Sequence, residues 1–153
     1  MNTLELAIPP PAVMLVIGLL MWLLFFLFPG FSLPAISSVT GAIGIGLIGL
    51  CISMAGIITF KHARTTSNPR NPGEVSVLVT SGIYRLTRNP MYVGVLLVLI
   101  GWGVFLGNAL ALICALIFVP YISRFQIQPE ERVLQNKFGA AFIEYKAKVR
   151  RWI

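Results

Sequence analysis

Between Pro11 and Phe60 the chain carries no Asp, Glu, Lys, Arg or His, and between Met91 and Ser123 it again carries none. One helical crossing of a bilayer takes about 20 apolar residues, within a range of about 17–25. Both stretches exceed that length. A soluble domain of this size carries about 25% charged residues, whereas this chain of 153 residues has 11% charged and 57% hydrophobic residues. A large core does not explain the deficit, because so small a chain must keep much of its surface wet. Lipid as the solvent does explain it, and the length allows one membrane domain spanning residues 1–153.

The expected architecture is an all-α integral membrane protein with four transmembrane helices. The first runs over 11–28 and the second over 36–60, separated by Pro29-Gly30 and Pro34. The first run lacks a basic leading region and a small-residue cleavage site, so it reads as a retained helix rather than a signal peptide. The stretch from Met91 to Ser123 is too long for one crossing, and Gly107-Asn108 divides it into helices at 91–106 and 109–125 joined as a tight hairpin. Pro120 is expected to kink the last of these by crowding the Leu116 carbonyl. The tail, 126–153, reads as an amphipathic helix. Pro129 suits its first position, and Glu130 and Glu131 suit its first turn, where the dipole favours anions. Leu134, Phe138, Phe142, Tyr145 and Val149 form its apolar stripe, which Gly139 interrupts. Such a tail lies along the membrane surface or folds over the ends of the bundle.

All twelve Lys and Arg residues fall after Phe60, five from Lys61 to Arg88 and seven from Arg124 to Arg151, and the net charge is +7. Basic blocks that flank apolar runs mark the cytoplasmic side of a membrane rather than a nucleic-acid surface. Four crossings place the 61–90 loop and the tail on that same side. Ionisable groups are missing from the crossings themselves, which argues against a transporter or channel. The sole histidine, His62, and two isolated cysteines, Cys51 and Cys114, leave no basis for a zinc or haem site. In the second helix Ala42, Gly46, Gly49, Ser53 and Gly56 share one face, which suits close packing within the monomer. The same face would serve an oligomer, or a non-enzymatic scaffold that assembles with a partner.

Everything titratable therefore lies at the cytoplasmic boundary, where two segments stand out. One is Leu78-Val79-Thr80-Ser81-Gly82-Ile83-Tyr84-Arg85 followed by Arg88-Asn89-Pro90-Met91-Tyr92-Val93-Gly94. The other is Glu130-Glu131 with Leu134, Phe138-Gly139 and Tyr145. This ordered series resembles the isoprenylcysteine carboxyl methyltransferase family, within the wider group of membrane methyltransferases that includes phospholipid N-methyltransferases. The resemblance covers Asn68 to Arg150. Asn89 stands where that family usually has His, and Ile83 where Pro is common.

The resemblance implies S-adenosylmethionine as cofactor and a lipophilic small molecule or lipid-attached group as methyl acceptor, with a carboxylate, a thiol and an amine all open. Its motifs place Leu78, Val79, Gly82, Tyr84, Arg88, Asn89, Pro90, Tyr92, Glu130 and Glu131 at the cofactor. Gly82 would let the backbone approach a ligand, and Tyr84 and Tyr92 would face the sulfonium. Arg88 would pair with the cofactor carboxylate. Asn89 would hydrogen-bond the cofactor, and Glu130 or Glu131 would bind ribose hydroxyls or the ammonium. Glu131 is also the expected base for an amine acceptor, and Arg124 the expected contact for an anionic one. Plain alternatives stand beside these roles. Arg85, Arg88, Arg124 and Tyr92 would serve as interfacial anchors, Asn89-Pro90 as a helix start, and the two glutamates as a helix cap.

Overall fold

A computed structural model describes residues 5–65 and 75–153. The 66–74 part of the expected cytoplasmic loop, with Asn68 where the motif resemblance begins, lies outside the described residues. Helix α1 spans Pro10–Leu27, α2 Val39–His62 and α3 Pro90–Leu106. They are followed by α4 (Ala109–Leu116), α5 (Phe118–Ile122), α6 (Gln128–Phe138) and α7 (Ala140–Lys148). Among the described residues three helical stretches are long and apolar enough to cross a bilayer: Pro10–Leu27, Val39–His62 and the run Ala109–Phe138 that joins α4 to α6. Helix α3, at 17 residues, is apolar but shorter.

Local chemistry sets the ends. Pro10 opens α1, where its missing N–H leaves nothing unpaired. The Ser38 hydroxyl accepts the Gly41 N–H at 3.1 Å and caps α2. Gly107, at φ +57°, closes α3 in the left-handed conformation that favours glycine. Asn108 is fully buried; its Oδ1 accepts the Ala111 N–H at the start of α4. Its Nδ2 donates to the Phe28 carbonyl at 3.1 Å, and the Leu33 N–H donates to the Gly107 carbonyl at 2.6 Å. The turn after α1 and the turn after α3 are thus tied together at one end of the bundle. Motif residues 75–90 and the helices after Ile122 gather at the other.

Helices α2 and α3 meet backbone to backbone. A methyl group on Gly49 would fall 2.5 Å from the Gly94 carbonyl oxygen, and one on Gly101 would fall 2.9 Å from the Ala42 carbonyl. The small-residue face of α2 is therefore occupied within the monomer, as is usual where lipid supplies no hydrophobic drive between helices. Met21, Ala111, Ala115, Phe118 and Ile122 form the core between α1 and the fourth apolar helix. Leu15, Val16, Leu19 and Phe26 point outward with about two thirds of their surface exposed (65–69%). A row of this kind suits lipid, not water.

The tail departs from expectation. The fourth helix does not end near 125 and restart at Pro129. It is interrupted at Ile117, one turn before Pro120, and then runs on through a π-helical turn, Ser123–Ile127, into α6. Pro129 has no N–H to offer the Phe125 carbonyl. The π turn widens the ladder so that the Gln128 N–H reaches Ser123, and the Leu6 N–H fills the Phe125 carbonyl at 3.0 Å from outside. Glu130 and Glu131 consequently lie inside a continuous helix, where the dipole of a free N-terminus is not available to them. Gly139, at φ +53°, separates α6 from α7 as expected. Phe142 and Tyr145 are buried, so the tail folds over the end of the bundle.

Candidate active site

A cavity of about 400 Å³ opens at the end opposite the two turns, within the range of about 300–1,000 Å³ typical of small-molecule pockets. Apolar side chains form most of its wall: Ile57 and Phe60 from α2, Val95 from α3, Leu134 from α6 and Phe142 from α7. Its polar groups converge from two segments far apart in sequence, Arg88 and Asn89 at the start of α3 and Glu130 and Glu131 on α6.

Eight of the eleven residues singled out from the sequence border this cavity. Leu78 and Val79 do so from the loop, Tyr84 from a short 3-10 turn spanning Gly82–Arg85, and Tyr92 from the first turn of α3. Arg88, Asn89, Glu130 and Glu131 complete the set. The other three stand outside it. Gly82 has φ +57°, and a side chain there would press on Thr59, 3.1 Å away, so this glycine seats the loop against α2. Pro90 is buried as the first residue of α3. Arg124 is half-exposed; it pairs with Glu5 at 3.0 Å and stacks over Phe125.

Arg88 is the hub. Its Nη1 donates to the carbonyls of Lys146 (3.2 Å) and Val149 (2.8 Å), and its Nη2 to Glu131 Oε1 (2.6 Å). Its Nε is buried without a partner among the described residues. Arg151, which sequence reasoning missed, grips both oxygens of Glu131, through Nη2 at 2.7 Å and Nε at 3.1 Å. Asn89 makes no side-chain cap; its Nδ2 donates to the Arg151 carbonyl at 2.9 Å. The Tyr92 hydroxyl donates to Glu130 Oε1 at 2.6 Å, and the Tyr145 hydroxyl to the Tyr84 carbonyl at 2.7 Å. Phe60 meets Tyr84 edge-on at 5.3 Å. Phe142 was visible only as a member of the apolar stripe, and Tyr145 also as the tyrosine that closes the second motif segment.

The two adjacent glutamates face opposite electrostatics. The charge-free stretch of the fourth helix ends at Ser123, and both lie beyond it. Burial lifts Glu130 to about 8 against the pull of the Tyr92 hydroxyl, with the neighbouring Glu131 adding to the rise. Burial also acts to raise Glu131, but its bonds to Arg151 and Arg88 outweigh that and hold it below the usual carboxylate range. Burial pushes Tyr84 well up, helped by Tyr145 and Glu130, and lifts Tyr145 to about 12 against the nearby Arg88. Near neutrality the site holds an ionised Glu131, a largely protonated Glu130 and protonated Tyr84 and Tyr145.

Comparison with known families decides the kinship. The sequence profile of the family described as phospholipid methyltransferase matches residues 37–141, over half of the chain and most of this cavity. The chain belongs to the phospholipid methyltransferase family. Protein-S-isoprenylcysteine O-methyltransferase A of Arabidopsis thaliana is 35% identical over 123 residues, covering 80% of this chain and 62% of that enzyme. Protein-S-isoprenylcysteine O-methyltransferase of Schizosaccharomyces pombe is 32% identical over 129 residues, covering 80% of this chain and 52% of that enzyme. This phospholipid methyltransferase family member thus spans less than two thirds of the length of either enzyme. An uncharacterized Haemophilus influenzae protein is 48% identical over 63 residues, 41% of this chain and all of that one. No solved structure matches. The resemblance read in the Leu78–Gly94 and Glu130–Tyr145 segments is the one these relatives bear out.

Proposed function

We propose that this family member is an S-adenosylmethionine-dependent methyltransferase with four membrane crossings, α3 being one of them. Its 61–90 loop and tail face the cytoplasm, and its acceptor is a hydrophobic or lipid-attached carboxylate, thiol or amine. One observation carries the reading: a single cavity joins a charged wall, open to the basic end of the bundle, to an apolar wall made by the membrane helices. A polar cofactor and a lipophilic acceptor require such a two-sided site.

The residues present fit the cofactor. It carries a carboxylate, an ammonium and a sulfonium, and supplies the methyl group to be displaced. Arg88 Nε, a buried donor with nothing to bond, suits the carboxylate. Tyr84 and Tyr92 offer ring faces to a cation, a contact of about 0.5–2 kcal/mol, and Glu130 offers an acceptor. Displacement at a sulfonium is an in-line reaction, so positioning and exclusion of water are the protein's main contributions, and the apolar lining excludes water. A carboxylate or thiolate acceptor needs no base. For an amine the base role moves from Glu131 to Glu130, because two arginines lower the proton affinity of Glu131 whereas burial raises that of Glu130 to about 8. Arg124, engaged by Glu5 away from the cavity, contributes no acceptor contact in this reading.

The scaffold reading needs the small-residue face of α2 on the outside, and α3 covers that face. Isothermal titration of the detergent-purified chain with S-adenosylmethionine tests the proposal, followed by transfer of labelled methyl to lipid extracts. Saturable binding with label in a lipid-soluble product is expected. Absence of binding would leave the enzyme reading without support.

A further inference from the structure

The unpaired Nε of Arg88 raises the question of why Glu131, already 2.6 Å from the same guanidinium, does not take it. Arginine and carboxylate commonly pair through two parallel bonds. Here Arg88 uses one prong on Glu131 and leaves its buried Nε idle. The two-pronged grip on Glu131 belongs to Arg151 instead, through Nε to Oε1 and Nη2 to Oε2.

Arg151 does not reach this position as a loose surface side chain. Its carbonyl accepts from Asn89 Nδ2 at 2.9 Å and from Thr87 Oγ1 at 3.2 Å. The Arg88 N–H donates to the Arg150 carbonyl at 3.0 Å. One residue further on, Trp152 Nε1 donates to Ser123 Oγ in the π turn. The extended segment that follows α7 is thereby stapled across residues 87–89 on one side and the fourth helix on the other. Arg151 reaches Glu131 from a backbone whose place is set relative to Arg88.

We infer that Arg151 is a positioning residue: by holding Glu131 in its own fork it keeps Glu131 from chelating Arg88 and so preserves Arg88 Nε for the anionic end of a ligand. This rests on the cofactor reading proposed above, in which that anionic end is the carboxylate of S-adenosylmethionine. Without the Arg151 side chain Glu131 loses two donors, and the idle donor on the guanidinium it already touches satisfies one of them. The carboxylate site is then closed by the protein's own carboxylate.

Calorimetry on the full chain in detergent separates the alternatives, with S-adenosylmethionine and its decarboxylated analogue as the two probes. Arg151→Ala should weaken S-adenosylmethionine binding about tenfold, the size of one charge-assisted hydrogen bond, and leave the decarboxylated analogue within about twofold of the parent. Adding Glu131→Gln to Arg151→Ala should restore most of the lost affinity, because a neutral amide does not compete for Arg88. Arg151→Lys, which still offers Glu131 a cation, should retain most of it. Equal loss for both probes in Arg151→Ala, or no recovery in the double variant, would make the segment a structural strap and overturn the inference. Unchanged binding in Arg151→Ala would overturn it as well. A parent that binds neither probe overturns the cofactor reading itself, which is a different result from any of these.

Discussion

The Tyr92 hydroxyl donates a 2.6 Å hydrogen bond to Glu130 Oε1, joining the first turn of α3 to the polar extension of the fourth apolar helix. The bond holds a carboxyl group against the apolar cavity wall without neutralising it with a cation. Glu131, one residue on, is held by two arginines instead. Neighbours in sequence thus receive opposite protonation behaviour from the fold.

Glu130 should make stability depend on pH with a defined sign. Its folded value, about 8, lies above the ordinary carboxyl value of 4.5, so the stability it contributes is complete below about pH 4.5 and is lost as pH rises through about 8. Melting temperature of the parent should fall between pH 5 and pH 9, and Glu130→Gln should flatten that fall. Identical pH profiles for the two proteins would show that the carboxyl titrates at an ordinary value.

Removing the hydroxyl alone is a separate test. Tyr92→Phe leaves the ring in place and strips Glu130 of its donor. The cost should be about 1–3 kcal/mol, the range for leaving a buried polar group unsatisfied. Denaturation in mixed detergent measures it, and a change under about 0.5 kcal/mol would mean that water replaces the hydroxyl.

The α2–α3 contact predicts a contrast between two glycines. A methyl group on Gly94 would collide with Ser53 and with the Gly49 carbonyl, whereas one on Gly44 would meet nothing within 4 Å. Gly94→Ala should therefore destabilise by about 1–3 kcal/mol or more through overpacking, while Gly44→Ala should be neutral or stabilise by up to about 1 kcal/mol. Equal melting temperatures for both variants would contradict the close backbone approach.

Glu5 ties residues 5–8 to the π turn through Arg124 at 3.0 Å and to α6 through Arg132 at 2.5 Å. Burial works to raise its carboxyl, but the Arg124 hydrogen bond and the charge of Arg132 hold it below its usual value. The stabilisation is therefore present above the ordinary carboxylate range and lost as pH falls through the lowered value. A spin label at Ile8 should gain mobility in Glu5→Gln at neutral pH, and in the parent only under acid conditions. A label equally mobile in both at pH 7 would show that the ion pairs do not hold the segment.

Orientation is testable with single cysteines in a background lacking Cys51 and Cys114. Ser81 and Lys146 lie at the cavity end, and Gly30, exposed in the turn after α1, lies at the other. An impermeant reagent applied outside intact cells should label a cysteine at 30 and neither of the others. The reverse pattern would invert the proposed topology.

Much of this protein was legible residue by residue. Lipid penalises each charge separately, so charge-free stretches mark helices wherever their tertiary partners lie, and helices at 10–27, 39–62 and 90–106 fall within three residues of the expected bounds. The turn at Gly107-Asn108 and the break at Gly139 followed from backbone preferences that glycine carries on its own. Most of the cavity's polar residues were recognisable because their order along the chain matches a family pattern.

Tertiary structure decided what each polar atom bonds. Pro129 reads locally as a helix start, yet the helix continues because the Leu6 N–H, more than a hundred residues earlier, fills the Phe125 carbonyl that Pro129 leaves open. Arg124 reads as a contact for an acceptor, yet Glu5 claims it. Arg151 reads as one basic tail residue among several, yet it grips both oxygens of Glu131. A hydrophobic preference belongs to a residue and its solvent, so sequence alone carries it. A hydrogen bond or ion pair belongs to two groups at about 3 Å, and only the folded chain brings those two groups together.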